Sequence, residues 1–145
     1  MKKALRLLGI VLFTALSLFL IAFGVLYAIV TNLLWFHAAA VPPSALDAVR
    51  PLYFALMKLI GGSSASLGIL GLYVTCFPLR QGSATAATIL AITYASAISM
   101  AAVVAEKLAA TTGAPTSWHI MGVLLAMTAI GLVVSLAGRS DRKPE

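Results

Sequence analysis

Four long apolar runs, at about residues 7–35, 51–77, 84–105 and 118–137, constrain the fold of this chain more than any other feature. An α-helix needs roughly 20 residues to cross ~30 Å of hydrocarbon, and each run reaches that length. Inside a bilayer the backbone hydrogen bonds must close within each segment, and helices associate by close packing rather than by the hydrophobic effect. The sequence therefore predicts an all-α membrane protein, a four-transmembrane-helix antiparallel bundle. Only 10% of its residues are charged and 61% are hydrophobic, against about 25% charged in an ordinary soluble domain. Four spans leave no length for a soluble domain, so residues 1–145 read as one transmembrane unit with a polar tail at 138–145.

The net charge of +6 would suit nucleic acid, but its placement suits a membrane, and no nucleic-acid partner is expected. With the N-terminus inside, Lys2, Lys3, Arg6, Arg80, Arg139, Arg142 and Lys143 share the inner side, and Arg50, Lys58 and Lys107 the outer. The positive-inside rule then gives a multi-pass protein of the bacterial inner membrane with both termini cytoplasmic. Lys2, Lys3 and Arg6 before an apolar run also resemble a signal peptide. A cleavable core is only ~7–15 residues, so an uncleaved first helix is expected.

That helix is expected from about Leu5 to Phe36, closed by Trp35, Phe36 and His37. Pro42-Pro43 ends any continuation, Ser44 is placed to cap the second helix with Asp47 in its first turn, and Pro51 predicts a kink or fresh start. Arg80 to Gly82 forms a tight turn, making spans two and three an antiparallel hairpin with Ser83 as the cap of the third. The third span ends near Glu106-Lys107, and Thr116 or Ser117 caps the fourth. Both Trp35 and Trp118 fall at the outer interface, where amphipathic rings settle.

Span two carries the clearest packing signal: Gly61, Ser64, Gly68, Gly71 and Thr75, spaced alternately by three and four. Such a seam admits a neighbouring helix closely. The Ala- and Ser-rich third span is its expected partner. Lys58 is the one charge clearly inside an apolar run, at a cost of about 1–3 kcal/mol unless it snorkels or pairs. Glu106 and Asp47 are its candidate partners. Under this topology Asp47, Arg50, Tyr53, Lys58, Glu106, Trp118 and His119 gather with His37 at the outer end as a candidate ligand-binding pocket.

Other chemistries lack their residues. Two histidines without carboxylates or thiols at ligand spacing make no metal site, and no cofactor is expected. A lone Cys76 excludes an intramolecular disulfide. The block from Val41 to Asp47, with Arg50, Tyr53 and the Gly61-Gly62 helix, resembles small bacterial membrane proteins of the DoxX-like kind. That resemblance covers about residues 1–110 as a layout. It implies an accessory role, since some such proteins are thought to be subunits of membrane redox complexes.

The expected function is that of a small accessory or ligand-binding bundle, more readily non-enzymatic than catalytic, with membrane lipid as a partner and a homo-oligomer or larger membrane complex open. Two alternatives stand beside it. Lys58 and the Ser/Thr content of span three suit a transporter or channel for a small or lipophilic solute. Glu106 or His119 at the outer surface suits a lipid- or quinone-directed enzyme.

Overall fold

The structure is a computed structural model that describes residues 1–116 and 118–139. Among the described residues it is helical, without strands. Four helices, α1 (Lys2–Ile29), α3 (Leu46–Val74), α4 (Ala84–Thr112) and α5 (His119–Ala137), are joined by a short α2 (Trp35–Ala38). The four long helices are long and apolar enough to cross a membrane. Ser117 as a cap, and Arg142 and Lys143 in the tail, lie outside the described residues.

Helix α1 stops at Ile29, short of the expected Phe36. Val30 is extended (φ −59°, ψ 129°). It opens a Val-Thr-Asn stretch whose branched and amide side chains favour non-helical backbone. The helical turn expected around Trp35–His37 survives only as α2.

Pro43–Ala45 is a 3₁₀ turn, so Ser44 caps nothing, and α3 begins at Leu46 with Asp47 in its first turn. The α-helix runs through Pro51 rather than restarting there. At the other end Pro78 has no N–H for the carbonyl four residues back, and Thr75–Leu79 widens into a π turn.

Ser83 does cap α4, accepting from the Ala86 N–H at 3.2 Å. Helix α4 continues past Glu106-Lys107 to Thr112, where Gly113 (φ +68°) closes it in the left-handed conformation. Thr116 does not cap α5; its hydroxyl donates back to the Ala105 carbonyl at 2.8 Å.

The seam of α3 is occupied by α1, not by the Ala-rich α4. A Cβ at Gly24 would lie 2.6 Å from the Gly61 carbonyl oxygen, and one at Gly61 the same distance from the Gly24 carbonyl. Gly68 faces the Ser17 carbonyl in the same way, at 2.6 Å. The backbones thus touch directly, which only glycine allows, and dispersion along that line holds the pair. Ser64, one position off the line, stays partly exposed.

The other face of α1 meets α5. Gly9 lies under Ser135, Gly131 against Phe13, and Gly138 against the backbone of Lys2 and Arg6. Helix α5 in turn packs on α4. The order across the molecule is therefore α3, α1, α5, α4, and α3 barely touches α4 although a tight turn joins them. The core lies toward the end holding that turn, where Phe13, Leu16, Leu20, Leu79, Leu90, Tyr94, Ile98 and Leu124 cluster.

Tyr94 completes this core and is fully buried. Its hydroxyl lies 2.6 Å from Ser17 Oγ, and Ser17 donates its single hydrogen to the Phe13 carbonyl at 2.7 Å. The tyrosine is therefore the donor of the pair. Its oxygen fills the place where Gly71 would carry a Cβ. One hydroxyl thus ties α4 to α1 beneath α3.

Replacing Gly61 by leucine should cost about 1–3 kcal/mol through overpacking. The neighbouring Gly62→Leu, where nothing lies within 4 Å of a new Cβ, should be near neutral. Reversible unfolding of both variants in mixed micelles checks the contrast.

Candidate functional site

Because α3 and α4 diverge, a cleft opens between them, floored by α1 and α5 in its outer part. Its inner part is a cavity of about 260 Å³ lined by Leu67, Gly71, Val74, Pro78, Leu90 and Thr93, among others. Its outer part, about 240 Å³, is lined by residues of all four long helices, including Phe19, Phe23, Ile60, Ser64, Ile98 and Leu124. Leu67 borders both. The walls are almost wholly apolar. The Thr93 hydroxyl is already spent on the Ile89 carbonyl at 2.8 Å, and Ser63 and Ser64 supply a narrow polar edge.

Two stripes carry this cleft to a compact aromatic cluster. On α1, Phe19 stacks on Phe23, and Phe23 lies 4.1 Å, centroid to centroid, from Tyr27. On α3, Tyr53 sits seven residues before Ile60, two turns up the same face. His37 joins the two stripes, edge-on to Tyr27 at 6.1 Å and to Tyr53 at 5.6 Å.

His37 Nδ1 is 3.0 Å from the Tyr53 hydroxyl, which also accepts the Leu34 N–H at 3.2 Å. The break after α1 thus has a function in the fold: it frees a backbone donor and swings His37 over α3. Burial holds the His37 pKa below the ordinary histidine value, so the ring is neutral at pH 7.

Of the residues expected at the outer end, His37 and Tyr53 meet in this cluster. Asp47, Arg50, Lys58 and Glu106 are exposed. At ~100° per residue, Lys58 lies about half a turn around α3 from Leu67, on the side away from the cleft. By the same measure, Glu106 faces away from the α4 residues that line it. Trp118 and His119 stack on each other at 4.7 Å at the start of α5, both exposed.

His37 was expected at the outer end, but its pairing with Tyr53 and the part played by Tyr27 were not, because the bend that turns His37 back was hidden inside one apolar run. Among the described residues no group of histidine, cysteine and acidic side chains could hold a metal ion. Compared with known proteins, the chain matches no family model, no curated protein and no solved structure.

Because folding lowers the His37 pKa, the unfolded segment binds the proton more readily. The stabilisation is present above the unfolded value near 6.5 and is lost as pH falls through the folded one. Hydrogen exchange of residues 30–41, corrected for intrinsic rate, should show increased opening on acidification in the wild type. In His37→Gln that pH dependence should vanish.

Proposed function

We propose that this protein is a small multi-pass protein of the bacterial inner membrane that binds an aliphatic-chain ligand in the α3–α4 cleft, as an accessory rather than catalytic component. The observation that carries this reading is the separation of α3 from α4 over apolar walls. A gap of this kind at bilayer depth has too few polar partners to hold water. Left empty, it would forfeit the dispersion contacts of its lining. A hydrocarbon chain meets both conditions. The DoxX-like layout supports an accessory role in a larger membrane complex.

The orientation belongs to the same proposal. Lys2, Lys3, Arg6, Arg80 and Arg139 occur at the end formed by the start of α1, the α3–α4 turn and the close of α5. Among the described residues that end carries no acidic side chain. The positive-inside rule makes it cytoplasmic. Lys58, exposed on the side of α3 away from the cleft, is best read as snorkelling. This removes the main motive for a solute pathway.

Filling the cleft tests the reading. Ser64→Phe combined with Ala97→Phe should leave the α1–α3 seam and the helical content unchanged. Retention of co-purified lipid, measured by native mass spectrometry after mild detergent extraction, should fall by about tenfold, the equivalent of ~1.4 kcal/mol. Retention equal to wild type in a folded double variant would count against a ligand in the cleft.

A further inference from the structure

The cleft accounts for the tail of an amphiphile and leaves the His37–Tyr53 pair at its outer end unexplained. Resting on the cleft reading, we propose that this pair is the head-group subsite, and that the ligand's head is an uncharged carbonyl, as in a fatty ester. Position supports this first. Tyr53 continues the stripe of Ile60, Ser64 and Leu67 on α3, and Tyr27 continues that of Phe23 on α1. A chain lying along the cleft reaches the pair about 10 Å above Ile60, given the helical rise.

Hydrogen-bond accounting supports it next. A phenol has one hydrogen to donate and a neutral imidazole has one. The Leu34 N–H uses a lone pair of the Tyr53 oxygen. The His37–Tyr53 contact consumes one of the two hydrogens, whichever atom donates it. The other is left over in either tautomer, on His37 Nε2 or on the tyrosine oxygen. Among the described residues neither group has a further hydrogen-bond partner. The pair thus offers one donor to an incoming acceptor.

Charge narrows the class of head. The side chains around His37 are aromatic: Tyr27, Phe36 and Tyr53. The ring itself is neutral at pH 7, held so by burial. The charges on α3 nearest in sequence, Asp47, Arg50 and Lys58, are on exposed positions. No charged group in the cluster would compensate a buried phosphate or carboxylate, whose desolvation would then be uncompensated. An uncharged carbonyl needs only the one donor the pair provides.

The test uses the full chain in detergent with methyl palmitate carrying a ¹³C-labelled carbonyl. Native mass spectrometry reports the adduct, and the infrared carbonyl band reports hydrogen bonding of the head. The expected result is an adduct with a down-shifted carbonyl band. In His37→Leu/Tyr53→Phe the shift should disappear and affinity should weaken by about tenfold, the scale of one lost hydrogen bond, with the adduct still forming. Tyr27→Phe, which leaves the pair intact, should keep the shift. A wild-type adduct with an unshifted band, or the same shift in the double variant, overturns the head-group assignment and leaves the cleft reading standing. No adduct on the wild type overturns both.

Discussion

Direct backbone contact between α1 and α3, at Gly24 and Gly61 and again at Gly68, is the constraint on which the other features depend. Lipid solvates apolar side chains as well as another helix does, so two helices stay together only where they fit more closely than lipid can. Gly24 and Gly61 each place the other's carbonyl where a Cβ would stand. That fit is satisfied by one partner alone. Once α1 holds the seam at Gly61 and Gly68, α4 meets α3 closely only at Gly71, through Tyr94.

The consequences run outward from that choice. Helix α4 joins the assembly through α5 and through the Tyr94 hydroxyl on Ser17, which fills the notch left by Gly71. That hydroxyl ties α4 to α1 beneath α3, while α3 and α4 themselves stay apart. The cleft follows from having a tight α3–α4 turn without an α3–α4 packing seam. The early end of α1 supplies the rest, because chain released at Val30 returns His37 to Tyr53 instead of continuing the helix.

Much of the architecture was legible in the sequence, since span length and charge exclusion are properties of single segments. The four helices, the Ser83 cap and the small residues of α3 could all be read directly. Which helix fills a small-residue seam is a pairwise question that residue spacing does not answer. Ala-rich α4 was the obvious candidate, whereas α1 proved the better match because its Gly24 sits directly opposite Gly61. The candidate site was harder still. Charged residues attract attention in an apolar chain, yet Lys58 and Glu106 lie on faces turned away from the cleft. His37 and Tyr53 were already candidates for the outer end, but their direct pairing, with Tyr27 beside them, follows only once the break after Ile29 is known.

Openness of the α3–α4 face to the bilayer is the claim that most directly carries the account. It can be measured by single spin labels at Ser64 and Ala97 in a Cys76→Ser background, reconstituted in one synthetic phospholipid. The account predicts frequent collision with dissolved oxygen, which concentrates in hydrocarbon, and little collision with a water-soluble nickel chelate. Labels shielded from both reagents would mean that α3 and α4 close on each other, and would contradict it.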